Sequence, residues 1–256
     1  MMKDKEMSKS ERGMKATFSP LMPPPASLSD EPRIRIVNCF RELVTTPFGN
    51  GVNALCWPRQ LEGDFSEVAE RMDVGQGITH LSVEQLRALA LSPSGKVALA
   101  TMLADYHLLS EHGLDPALDC INGYPPVDET VLMRTDVCSF HVDSATGEAD
   151  TFLCTYFGTS SEGLRNEEAV RRVDLPETRT KLLKAYGGAD DEGFCDWLND
   201  HYYDLHYAPL PGATPFAFGT ANLWRVATLY PGSPVPPCIH RAPDPIPGQT
   251  RLLLIS

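Results

Sequence analysis

VLMRTDVCSFHVD, residues 131–143, runs through DSATGEAD, residues 143–150, into TFLCTYFGT, residues 151–159. The outer two segments are rich in β-branched, aromatic and other apolar residues. The Asp/Ser/Thr/Gly-rich middle reads as a hairpin-like connection. The first segment is therefore expected to be a strand that ends in Phe140-His141-Val142-Asp143. Residues i and i+2 of a strand share a face. His141 and Asp143 can thus present an imidazole nitrogen and a carboxylate to one point, with Ser139, Val137 and Thr135 in the same phase.

Working outward, residues 175–206 read as a helical insertion: LPETRTKLLKAY, stopped by Gly187-Gly188, then DEGFCDWLNDHYYDLH. Strand-like segments return in FAFGT, NLWRVATLY, PPCIHRAP and TRLLLIS, separated by Gly/Pro turns. Upstream, a short alternating strand at Arg33–Val37 precedes mainly helical signals from about 52 to 125. Asp64 is placed to cap FSEVAERM, and Ser82 with Gln85 forms a capping-box pattern. Gly95 leads into the long helix KVALATMLADYHLLSEHG, closed by Gly113. A turn, NGYPPVDE, follows. Residues 1–31 are polar and then Pro/Ser-rich, the composition of a flexible, disordered tail. The expected architecture is α+β: one domain over 32–256, with helical support over 32–128 and a β-sandwich or barrel core over 129–256 that carries the insertion at about 175–206.

H-x-D alone is a weak signal, and a metal reading needs a third ligand. His240 supplies one from another strand-like segment. Two imidazoles and a carboxylate on one face of an octahedral ion leave three positions, which suits Fe(II) with O2 and a bidentate co-substrate. Arg251, eleven residues after His240, offers a rigid fork for a distal carboxylate such as that of 2-oxoglutarate. In TFLCTYF the strand phase is open. Either Thr155 or Tyr156 can place a hydroxyl beside Arg251 to bind the co-substrate. Arg241 follows a ligand and can either bind a substrate carboxylate or point outward to an acid. Asn222 lies on the strand before His240 and is a substrate-contact candidate, whereas Trp224 on that strand reads as core.

An H-x-D on one strand, a late His, then Arg about ten residues on resembles the 2-oxoglutarate/Fe(II)-dependent dioxygenase superfamily. The resemblance implies a double-stranded β-helix (a jelly-roll, cupin-like core). It also implies Fe(II) held by His141, Asp143 and His240, 2-oxoglutarate paired with Arg251, and hydroxylation, desaturation or cyclisation at a C–H bond. Over about residues 33–256 the chain is also similar to a family of bacterial proteins whose shared domain has no assigned function. VNALCWPR (52–59), the F-H-x-D at 140–143, Leu153-Cys154-Thr155-Tyr156, His240-Arg241-Ala242-Pro243 and Arg251-Leu252-Leu253-Leu254 carry that similarity. The chain departs from it where a Gly-x-Gly-Thr turn is shortened to Gly158-Thr159 and followed by SSEGLRNEE.

A formal net charge of −12 disfavours nucleic acid and anionic lipid as partners, and no apolar run spans a membrane. Seven cysteines without a C-x-x-C pair suit reduced thiols in a cytoplasmic protein, with Cys138 and Cys154 buried rather than nucleophilic. His107 and His112 read as structural. His201 and His206, five apart, miss the spacing that would put both on one helix face, so HYYDLHY reads as an aromatic helix end. The expected partners are O2 and a small-molecule substrate, in a monomer or homodimer. The alternatives are an iron oxygenase or oxidase that does not use 2-oxoglutarate, and a non-catalytic metal-binding jelly-roll protein.

Overall fold

The computed structural model describes Leu28, residues 31–124 and residues 131–256. From the N-terminus the chain runs through β1 (Ile34–Ile36), α1 (Phe40–Thr45), β2 (Ala54–Trp57), α2 (Phe65–Arg71), β3 (Gly77–His80), α3 (Val83–Arg87), α4 (Pro93–Glu111) and β4 (Ala117–Asn122). It continues with β5 (Asp150–Phe157), β6 (Glu162–Leu164), β7 (Ala169–Arg171), α5 (Pro176–Tyr186), α6 (Glu192–Asp200), β8 (Tyr207–Pro209), β9 (Phe216–Ala217), β10 (Leu223–Ala227), β11 (Ile239–Arg241) and β12 (Arg251–Ile255).

Side-chain caps decide where the early helices begin, because they satisfy backbone donors that have no intrahelical partner. The Asp64 carboxylate accepts from the Glu67 N–H at 3.0 Å. Ser82 and Gln85 cap α3 reciprocally, at 3.1 and 2.9 Å. The long helix α4 starts at Pro93, ahead of the expected entry at Gly95. Ser92 caps it by accepting from the Gly95 N–H, and proline in the first turn lacks only an N–H that would be unpaired there anyway. His112 and Gly113 end this helix as expected.

The larger sheet has seven strands in the order β1-β2-β10-β5-β12-β4-β3. The β1–β2 pair is parallel and the other neighbours are antiparallel. β1 falls on the expected strand at Arg33–Val37, but β2, β3 and β4 come from the stretch of about 52–125 expected to be mainly helical, which is a correction. The four residues of β2 and of β3 are too few for alternation to stand out beside long helical patterns, and β4, six residues long, is buried at four successive positions and so shows none. Alternate residues build two cores. Leu55, Cys120, Phe152, Cys154, Leu252 and Leu254 pack under α2 and α4. Ala54, Cys56, Leu153 and Trp224 face the other way, onto Phe216 and Phe218. The result is a mixed α/β architecture with helices on one face of the large sheet and smaller sheets on the other.

Those smaller sheets are β11-β6-β9 and the pair β7-β8. Residue His141 joins them, bridging to His240 on β11 and to His206 just before β8. Residues 131–143 do not form the expected strand. Asp136 turns the chain instead: its carboxylate accepts from the Cys138 N–H at 2.8 Å and its carbonyl from the Ser139 N–H at 3.0 Å. Only around His141 does this segment pair. The helical insertion is present as α5 and α6, with a small core of Leu182, Phe194 and Leu198 against Met133 and Val173.

Two residues of the expected tail are packed against the domain. Leu28 packs against the Trp224 core, and buried Glu31 accepts two hydrogen bonds from Arg165 at 2.6 and 2.7 Å. The rest of that stretch, and residues 125–130 of the expected NGYPPVDE turn, lie outside the described residues. Among the described residues no helix is long and apolar enough to cross a membrane.

Candidate metal centre

His141 and His240 face each other across a closed antiparallel pair. Each backbone N–H donates to the other's carbonyl at 2.9 Å. Directly opposite residues of such a pair put their side chains on one face, and the two imidazole centroids are 4.8 Å apart. Asp143 follows two residues after His141. Its carboxylate oxygens lie 3.7 Å from His141 Nε2 and 3.5 Å from His240 Nε2. One ligand atom from each residue fits within a mutual spacing of 4.8 Å. The H-x-D geometry therefore arises although its strand is reduced to a single extended bridge.

Each histidine is oriented by its own backbone. His141 Nδ1 lies 2.8 Å from the Ser139 carbonyl, and His240 Nδ1 lies 3.2 Å from the Cys238 carbonyl. A carbonyl only accepts, so both Nδ1 atoms carry the proton, which leaves each Nε2, on the Asp143 side, as the ligand atom. Thr151 Oγ1 donates to Asp143 Oδ2 at 2.5 Å. Burial holds His141 below the ordinary imidazole value, and the neighbouring His240 adds to this. At Asp143 burial works upward, but His240, Thr151 and His141 outweigh it and keep the carboxyl low. A divalent cation requires neutral imidazoles and an ionised carboxylate, and the directions at His141 and Asp143 agree with that requirement. The donor set fits a facial two-His, one-carboxylate site that leaves other positions for exogenous ligands.

The triad opens on a cavity of about 170 Å³ between the large sheet and β11. A water occupies roughly 30 Å³ in the liquid, so the space suits a molecule of several heavy atoms. Arg251, 5% exposed, lines the same cavity. Its guanidinium donates to Ser161 Oγ at 2.7 Å, Tyr124 Oη at 3.1 Å and Thr155 Oγ1 at 3.2 Å, and its buried Nε has no partner among the described residues. Among the described residues no carboxylate pairs with it. Burial draws Arg251 below its ordinary value, yet guanidinium starts far above neutrality and stays charged. Gly158 permits this placement. Its φ is +83°, and a Cβ there would meet the Thr250 carbonyl oxygen at 2.6 Å and Arg251 Cα at 3.1 Å.

Several expected contacts lie elsewhere. Thr155 faces the cavity, whereas Tyr156 faces the helices and donates to Asp105 Oδ2 at 2.7 Å. Their opposite placement follows from strand alternation. Arg241 leaves the cavity. It pairs with Glu162 at 2.8 Å and lies 4.8 Å from the Phe140 ring centroid. Asn222 is held in a turn, donating to the Phe218 carbonyl at 2.9 Å and accepting from the Arg59 N–H at 3.3 Å, so it does not reach the cavity. Trp224 is core. The seven cysteines are all unpaired. Burial pushes the Cys154 thiol up to about 12 and raises Cys138, which makes both poor nucleophiles.

Sequence reading missed Tyr124, Ser161 and Asp119 in the cavity, and His206 beside His141. His206 is buried, burial lowers it to about 4, and its Nδ1 has no partner among the described residues. The three cavity residues stand in no motif. The only local signal was the Ser160-Ser161 pair just after Gly158-Thr159. No family model, curated protein or solved structure matches the chain.

Proposed function

We propose that this chain is an Fe(II)- and 2-oxoglutarate-dependent oxygenase that oxidises a C–H bond of a small molecule on a double-stranded β-helix core. The observation that carries the reading is the union in one cavity of the His141-Asp143-His240 set and a buried Arg251 without a carboxylate partner among the described residues. The order H-x-D, His, Arg supports it, as does the face-to-face packing of a large sheet against smaller ones, with the donor set on an inner face.

His141, Asp143 and His240 would hold the ion through two Nε2 atoms and one carboxylate oxygen. When bound, the ion supplies O2 activation coupled to oxidation of the co-substrate. The chain's part is positioning and exclusion of water. Arg251 already uses the oxygens of Tyr124, Thr155 and Ser161 as acceptors, and among the described residues none of these hydroxyls donates to another group. The three hydroxyls surround the guanidinium, and a distal carboxylate bound beside Arg251 would bring the counter-charge that the described residues do not supply. Ile121, Leu153 and Leu253 form a dry wall beside the donor set, which strengthens each charged contact.

The test is an anaerobic Fe(II) titration with and without 2-oxoglutarate. A visible charge-transfer band should appear only when both are present and should vanish in Arg251→Leu while Fe(II) still binds. Stoichiometric iron without a 2-oxoglutarate-dependent band would assign Arg251 to substrate or structure instead.

A further inference from the structure

We infer that the substrate carries a positively charged amine held by Asp119, with its aliphatic body on the rim formed by Ile78, Val137 and Ile255. The charge balance below rests on the oxygenase reading; the site itself rests on sheet register. β12 pairs with β4 so that Arg251 opposes Ile121 and Leu253 opposes Asp119. Arg251 and Asp119 therefore share a face as diagonal neighbours, a relation that spans about 7–8 Å. Both line the same cavity, and no ion pair joins them. Asp119 is 6% exposed, and its neighbours on that face of the sheet include the apolar Ile121 and Leu253. Its Oδ1 meets His80 Nδ1 at 2.6 Å, and among the described residues its Oδ2 has no hydrogen-bond partner. A carboxylate retained in such a setting is costly unless a cation or donors complete it.

His80 does not complete it, because its side chain is 80% exposed and reaches only one oxygen. The loaded cavity supplies the second argument. Leaving aside the exposed His80, two positive charges on the ion and one on Arg251 meet two negative charges on the dicarboxylate and one each on Asp143 and Asp119. One negative charge is in excess, so a monocation is favoured and an anionic substrate repelled. The mouth supplies the third. Ile78 is 46% exposed, Val137 45% and Ile255 36%, three large apolar side chains at one opening that an aliphatic chain would cover.

The experiment compares hexan-1-amine with hexan-1-ol, equal in length and differing in charge. Anaerobic protein with Fe(II) and 2-oxoglutarate is titrated with each and followed by the visible band. The Zn(II)- and 2-oxoglutarate-loaded protein is titrated in parallel by calorimetry. The amine should bind about tenfold or more tightly than the alcohol. Asp119→Asn should remove that margin, leaving alcohol binding and the band unchanged, and His80→Ala should preserve it. Equal binding of the two probes by wild-type protein, a margin that survives Asp119→Asn, or its loss in His80→Ala overturns the inference. The wild-type comparison decides even where a variant does not fold. A missing band with the calorimetric margin intact breaks the oxygenase reading alone and leaves the Asp119 site standing.

Discussion

Two buried arginines sit on opposite faces of the seven-stranded sheet, and they are held in opposite ways. Arg59, on the helical face, donates to Asp105 at 2.7 Å, and Tyr156 donates to the other oxygen of that carboxylate at 2.7 Å. The Ala221 carbonyl and the Trp57 ring complete its surroundings. Arg251, on the cavity face, has hydroxyl oxygens and an Nε without a partner among the described residues. Adjacent residues of β5 serve the two sites, Tyr156 the first and Thr155 the second. A buried charge with its counter-charge built in is a structural tie between sheet and α4. A buried charge completed only by hydroxyls leaves room for a ligand to bring the counter-charge.

The largest expected difference follows from that contrast. Arg59→Leu strands Asp105 in a dry setting and should cost about 3–5 kcal/mol in denaturant unfolding. Arg251→Leu removes a charge that has no partner carboxylate among the described residues and should be near neutral or stabilising, while abolishing the 2-oxoglutarate-dependent band. If Arg251→Leu proves as destabilising as Arg59→Leu, the distinction between the two arginines fails.

A smaller effect is expected at the carboxylate ligand. Thr151→Val deletes the hydroxyl that orients Asp143 and should weaken Fe(II) or Zn(II) binding by about 10–100-fold with little change in unfolding. Competition with a calibrated chelator measures it, and unchanged affinity would mean that Asp143 is oriented by other groups. A crossed pair on β5 is expected to give effects of similar size or smaller. Tyr156→Phe leaves one Asp105 oxygen short of a donor and should cost about 1–3 kcal/mol of stability without touching co-substrate affinity. Thr155→Val should do the reverse, weakening 2-oxoglutarate binding about fivefold at near-constant stability. Titration of the band alongside urea unfolding separates the two, and parallel losses in both variants would dissolve the assignment of faces.

Much of the site was legible before folding was considered. Asp143 lies two residues after His141, and one extended bridge is enough to bring those side chains together, so the reading outlived the loss of its strand. The caps at Asp64 and Ser82 were legible for a similar reason, since donor and acceptor are three residues apart. The phase of β5 was not legible. Its two faces are both covered, so Phe152, Leu153, Cys154, Thr155 and Tyr156 are all buried and the alternation that would reveal an outer face is absent. Arg241 and Asn222 were misplaced because nearness to His240 in sequence says nothing of the neighbours Glu162 and Phe218 that the fold brings to them.

By itself, then, the sequence determined features set by contacts within a few residues: the helix starts at Asp64 and Ser82, and the pairing of His141 with Asp143. It also contained the separated residues His240 and Arg251, in an order that resemblance made meaningful. The tertiary structure decided which layer covers each strand face. That choice sends Thr155 to Arg251 and Tyr156 to Asp105, and places Asp119 diagonal to Arg251 on the cavity wall. The physical reason is that a strand side chain's direction is local, whereas its surroundings depend on register with strands distant in sequence.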